Sequence, residues 1–201
     1  EEKPKKNYLK SIRSICNKNN ICLIFDECTS GFRESYGGLH LKYKIYPDIA
    51  MFGKAIGNGY ALTAIIGKNK IMNKAKNTFI SSTFWSERIG YTAALATLKE
   101  MKRLKSWKKI KIKGQYIKKS LSNIAERHKL LIRFSGLDAL IKFEILGLGK
   151  FDYNKFIIEE MLKKNFLATQ NIYVSMAHTK KKINDYLKKK DLVFKKISKK
   201  K

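Results

Sequence analysis

The run "ICLIFDE" at residues 21–27 constrains the fold most: five consecutive apolar residues stop abruptly on two acids. A continuous apolar run this short suits a strand buried on both faces, and the acids mark where its carboxyl end opens onto solvent or a site. Two further runs of the same kind, "PDIAMF" at 47–52 and "LTAIIG" at 62–67, are bounded by Gly or Pro. Between and around them the period changes. Tyr8, Ile12, Ile15 and Cys16 recur at helical spacing over 7–18 and end in the polar turn "NKNN". Alanines at 93, 94 and 96, with Leu98 and Met101, mark a second helix over 89–104. Strands alternating with helices predict an α/β sheet.

Composition shifts near residues 102–109. Beyond that point Trp107, Ile110, Ile117, Leu121, Ile124 and His128 predict a long helix, and "LLIRFSG" and "LIKFEI" read as an antiparallel strand pair. Helices over 153–164 and 181–198 follow, the second on Ile183, Leu187, Phe194 and Ile197. The expected division is residues 1–105 as one domain and 106–201 as a smaller α+β domain. There is no internal repeat, and the lysine-rich end after Ser198 is expected to fray.

The formal net charge of +28, from 44 basic and 16 acidic residues, would suit an anionic partner. Its distribution argues otherwise. The lysines are spread along nearly the whole chain as exposed helix faces, with no arm or stripe, so nucleic acid is not the expected partner. Cys16, Cys22 and Cys28 form no C-x-x-C pair, which points away from a disulfide framework or zinc site and toward a reducing, cytoplasmic setting. The longest apolar runs fall far short of the roughly 20 residues a membrane span needs. The chain starts on Glu-Glu, as a processed, trimmed or fragmentary product would.

"LIFDE" supports three readings. The acids mark a strand's exit into solvent; or Asp26 holds magnesium while Glu27 orients water, as in an ATPase; or an acid at the top of an α/β sheet pairs with a heterocyclic cation. The ATPase reading needs a G-x-x-x-x-G-K-[ST] loop, and the sequence has none. Lys54 favours the third. It follows a strand-like run and precedes Gly57 and Gly59, which permit a tight turn and close approach of backbone to a ligand. An amine there could form a Schiff base with a carbonyl cofactor. An acid for the pyridinium nitrogen and a lysine for the aldehyde carbon are the two groups that pyridoxal chemistry requires.

"LIFDECTSGFR", "PDIAMFGKAIGNGYALTAIIG" and "SSTFWSERIGYTAALATLKEM", in that order, resemble the carboxyl-terminal half of the class III pyridoxal-phosphate aminotransferases. The likeness is greatest to the glutamate-1-semialdehyde aminotransferase branch. It implies an α/β fold of PLP-dependent transferase fold type I: part of a large domain with a parallel-rich sheet, plus the small carboxyl-terminal α+β domain. It also implies pyridoxal 5'-phosphate as cofactor, an amino donor and a carbonyl acceptor as substrates, and a homodimer with shared sites.

Residue by residue, the resemblance makes Asp26 the partner of the pyridine nitrogen. Lys54 becomes the Schiff-base lysine and proton shuttle. Cys28 stands where the family packs an apolar side chain on the ring face, so it is read as packing and not as a nucleophile. Thr83 matches the threonine that reaches the cofactor phosphate of the partner subunit. Arg33, Arg88, His178, His40 and His128 are assigned structural roles before catalytic or metal-binding ones.

The family's amino-terminal half carries a phosphate-gripping turn at a helix N-terminus and a stacked aromatic residue, and these 201 residues contain no counterpart. The expectation is therefore a fragment, whose sheet would expose edges and an apolar face. "STFWSER" departs from the aminomutase pattern and favours intermolecular transfer, with intramolecular transfer left open. An inactive remnant and a basic nucleic-acid-binding or ATPase domain are the readings from other classes.

Overall fold

The computed structural model describes residues 5, 7–83 and 86–200. The chain divides into two compact units, Pro4–Lys108 and Lys109–Lys201.

In the first unit, helix α1 (Tyr8–Lys18) leads into a three-stranded sheet of order β1-β2-β3: β1 (Ile24–Asp26), β2 (Ile49–Phe52) and β3 (Ala64–Gly67). β1 runs parallel to β2 with Asp26 opposite Met51, whereas β3 is antiparallel to β2 with Ala64 opposite Phe52. Short helices α2 (His40–Tyr43) and α3 (Asn69–Met72), a 3-10 turn at Asn73–Asn77 and helix α4 (Arg88–Leu104) complete the unit. Leu23, Ala50, Phe52, Ala55, Ile56 and Ala94 are buried.

β1 is not the doubly buried strand that its apolar run suggested. Ile24 is half exposed, and Ile65 and Ile66 of β3 are more so. The period-2 alternation explains β1: Ile24 and Asp26 share the open face, and Leu23 and Glu27 face inward. The amino end of this sheet is fastened by buried Asp48. Its carboxylate accepts from Arg13 Nη1 at 2.7 Å and from the Leu23 N–H at 2.8 Å, and it pairs with Lys68 Nζ at 2.7 Å. Lys68, then the Leu23 N–H, then Arg13 hold this carboxyl well below the usual carboxylate range. One acid thus ties α1, the approach to β1 and the end of β3 at the edge away from the carboxyl ends of β1 and β2.

Helix α5 (Ser106–Arg127) runs into the second unit, which adds β4 (Leu131–Gly136), β5 (Leu140–Leu146), α6 (Tyr153–Leu162), β6 (Asn171–Tyr173) and α7 (Lys180–Ser198). The strands form an antiparallel sheet of order β4-β5-β6. Its apolar side packs with α5, α6 and α7 around Phe143, Ile141, Leu121, Ile157 and Phe194, all fully buried. Asp152 caps α6 through the N–H groups of Asn154 and Lys155, each at 3.1 Å, and Thr179 caps α7 through Lys182 N–H. The expected helices over 153–164 and 181–198 appear within a residue or two of those limits. β6 was not anticipated, because three residues carry too little alternation to register as a strand.

Candidate functional site

Parallel pairing puts the carboxyl ends of β1 and β2 at one edge of the sheet, the edge where open α/β sheets place their ligands. Asp26 is the last residue of β1, and Lys54 stands two residues beyond the end of β2. A register fixed by hydrogen bonding, including Glu27 N–H to the Met51 carbonyl at 2.8 Å, therefore brings together two residues far apart in sequence.

The adjacent acids have separate fates. Asp26 is exposed at the edge, and its Oδ1 accepts from the Cys28 N–H at 2.9 Å. That N–H, then the Cys28 side chain, hold its carboxyl below the ordinary range, and the nearby Lys54 charge adds to the effect. Glu27 is 3% exposed and accepts from the N–H groups of Leu39 (2.9 Å) and His40 (2.8 Å), from His40 Nδ1 (3.0 Å) and from the Ser30 hydroxyl. With its oxygens consumed in this way, Glu27 pins the 28–40 loop and is not placed to orient a water, which removes the ATPase reading of the acid pair.

The loop after β1 also needs Gly31. A Cβ there would lie 2.7 Å from the Glu27 carbonyl oxygen and 2.8 Å from the Phe52 ring. Cys28 sits on this loop, partly buried, with its Sγ 3.5 Å from where a Gly53 Cβ would stand. Burial, and then Asp26, push its thiol pKa up, so the group stays a neutral, soft packing surface.

Lys54 opens the turn after β2. Its φ is +46°, in the left-handed region. Lys44 and Lys105 share that conformation as caps at helix ends, where chains commonly adopt it, but Lys54 follows a strand. For a residue with a Cβ this costs about 1 kcal/mol, a strain that gathers at functional turns. The turn is closed by Asn58 N–H on the Lys54 carbonyl (3.0 Å) and Tyr60 N–H on the Gly57 carbonyl (3.0 Å). A Cβ on Gly57 would come within 2.3 Å of the Tyr60 carbonyl oxygen. The Lys54 amine donates to the Thr29 hydroxyl.

Asp26, Cys28 and Lys54 thus meet at one edge. Thr83 is exposed in the stretch ahead of α4. Phe84 and Trp85 of "STFWSER" lie outside the described residues. The histidines are used structurally. His40 pairs with Glu27, His128 Nε2 with Asp191 at 2.6 Å, and His178 Nδ1 accepts from the Ser175 N–H at 3.2 Å. Among the described residues no group of His, Cys, Asp and Glu could hold a metal, and no helix is long and apolar enough to cross a membrane. Sequence reading missed Thr29 and the role of Glu27. Alternation along β1 was the available signal for Glu27, whereas nothing local marks Thr29.

Residues 2–180 match the family Aminotransferase class-III. The chain belongs to that family. Among its relatives, glutamate-1-semialdehyde 2,1-aminomutase of Wigglesworthia glossinidia brevipalpis is 31% identical over 96% of this chain and 48% of its own length. The 3-aminobutyryl-CoA aminotransferase of Cloacimonas acidaminovorans is 36% identical over 66% of this chain and 32% of its own. In fold, the chain is similar to the FumI protein of Sphingopyxis sp. MTA144, solved in its PLP internal aldimine form. The TM-score is 0.89 at 23% identity, covering 94% of this chain and 46% of that one. An omega-transaminase from Sphaerobacter thermophilus gives 0.82 at 17% identity, covering 94% and 48%. The chain spans about half the length of such relatives at most.

Proposed function

We propose that this chain is the part of a pyridoxal-phosphate-dependent aminotransferase that supplies the Schiff-base lysine and the acid for the ring nitrogen. The observation that carries the reading is that parallel pairing of β1 with β2 places Asp26 and Lys54 at the same sheet edge, near enough for the Lys54 charge to act on the Asp26 carboxyl. The donor set fits the cofactor: an exposed carboxylate kept anionic, an amine, and a small thiol surface on the loop between them. When bound, pyridoxal 5'-phosphate supplies a carbonyl for the amine and a ring that draws electrons from a substrate carbon. Asp26 holds the proton on the ring nitrogen. Lys54 would hold the cofactor through its amine, and the same Nζ would serve as the base and acid that moves a proton beside the substrate carbon. Cys28 packs on the ring face.

Pro4–Lys108 is then the later part of the cofactor-binding large domain, and Lys109–Lys201 is the small domain. Thr83, exposed ahead of α4, is assigned to the cofactor phosphate of a second subunit in a homodimer. The substrates are a small amino donor and a ketone or aldehyde. The name of the Wigglesworthia relative supports a second reading, intramolecular amino transfer on one substrate. The free cysteines fit a cytoplasmic setting.

The test is to add pyridoxal 5'-phosphate, reduce with borohydride and map the product by peptide mass spectrometry. Lys54 is expected to dominate the label, and Lys54→Ala to abolish that peak. Label spread evenly over the lysines would overturn the proposal.

A further inference from the structure

We propose that Thr29 is a positioning residue that holds the Lys54 amine at the sheet edge. The inference rests on Lys54 being the lysine that meets the carbonyl, and it assigns a part to a side chain that the pyridoxal reading leaves unused. The geometry is built from the loop outward. The residues beside Thr29 are pinned by their own contacts: Cys28 N–H on Asp26 Oδ1 (2.9 Å), Ser30 hydroxyl on the Glu27 carboxylate, and Gly31 N–H on the Glu27 carbonyl (2.8 Å). Glu27 is in turn locked by the Leu39 and His40 N–H groups. The backbone at Thr29 is therefore fixed by a buried acid on the inward side of β1.

The threonine side chain itself is left to Lys54. Its hydroxyl accepts from the Lys54 Nζ, and as a β-branched residue it has few χ1 states in which to wander. Lys54 is exposed, and among the described residues its amine has no carboxylate within ion-pairing distance. A four-carbon stem in solvent samples many rotamers, and a fixed acceptor at its tip selects among them. The left-handed backbone at Lys54 aims the stem from one end, and Thr29 fixes it at the other. Glu27, two residues upstream of Thr29, becomes the foundation of that clamp.

The experiment compares the full chain with Thr29→Val and Thr29→Ser. Each is mixed with pyridoxal 5'-phosphate, quenched with borohydride at timed intervals, and the rate of label at Lys54 is read by mass spectrometry against other lysines of the same sample. Thr29→Val keeps the shape and removes the acceptor, and is expected to slow capture at Lys54 about fivefold, the order set by one ordinary exposed hydrogen bond. Thr29→Ser restores the acceptor and should return the rate to within about twofold of the parent. Label at Lys68 and Lys118 should not change, so a general loosening of the fold is separated from loss of the clamp. Selective capture at Lys54 that is equally fast in Thr29→Val overturns this inference and leaves the pyridoxal reading intact. No preference for Lys54 in the parent chain overturns both.

Discussion

Lys190 gives the sharpest stability test. It lies on α7 inside the second unit, fully buried, and among the described residues its amine has no hydrogen-bond partner. Its Nζ stands 5.1 Å from the Phe143 ring centroid and 5.6 Å from that of Tyr186. Burial lowers its pKa from 10.5 to about 7. At 1.36 kcal/mol per pH unit, that displacement is about 5 kcal/mol against the charged form, as an upper bound. Two ring faces return about 1–2 kcal/mol each when the ammonium is present, so desolvation wins. The sign follows from proton counting. Between pH 7 and 10.5 the unfolded chain holds a proton on this amine that the folded chain lacks, so stability rises with pH across that window. Below pH 7 both states are protonated and the full penalty stands. Replacing Lys190 with Met keeps the volume and removes the charge. At pH 6 the variant should be more stable by about 3–5 kcal/mol, and the margin should shrink by about 2–3 kcal/mol by pH 9. Tyr186, whose pKa burial pushes up, stays protonated in both states over this range. Urea unfolding followed by circular dichroism at pH 6, 7.5 and 9 reads the margin, and amide exchange along α7 locates it. A Lys190→Met variant that is less stable at pH 6, or whose margin does not change with pH, refutes the reasoning.

Two further predictions concern the second unit. Gly114 lies in α5, and a Cβ there would stand 1.8 Å from the Asp138 carbonyl oxygen. Gly114→Ala should therefore lower stability by about 1–3 kcal/mol although helix propensity alone favours it by about 1, which thermal unfolding will show as a fall in Tm. Buried Glu160 accepts from Lys163 Nζ at 2.8 Å and Lys196 Nζ at 2.5 Å, and these two bring its pKa down to about 2. Its folded pKa is below its unfolded one, so its contribution is whole above about pH 4.5 and is lost as pH falls toward 2. Glu160→Gln should cost about 1–2 kcal/mol at pH 7, discounted because both ammonium groups face solvent, and should flatten the acid limb of a pH–stability curve.

How much of this was legible in the sequence depends on whether the signal was local. The helices carry their own period, so α1, α4, α5 and α7 could be read from spacing alone. That Asp26 and Lys54 could serve one ligand was legible from their residue types at the ends of strand-like runs and from the family resemblance, but spacing says nothing about which strands pair or in what register. Once β1 lies parallel to β2, the same register that sends Asp26 to the open face sends Glu27 inward. A pair of adjacent acids then cannot serve one ligand, and the inward member is free to hold the loop that carries Thr29. That division also adds to what already marks Lys54 among 44 basic residues in the sequence, the strand-like run before it and Gly57 and Gly59 after it. Other lysines reach buried carboxylates and are consumed by them, as Lys68 is at Asp48 and Lys163 and Lys196 are at Glu160. Lys54 is met instead by the Thr29 hydroxyl beside an exposed acid, the arrangement on which the proposed Schiff-base role rests. Charge composition could not show this, since the partner that Lys54 meets is chosen by strand register and not by the number of lysines.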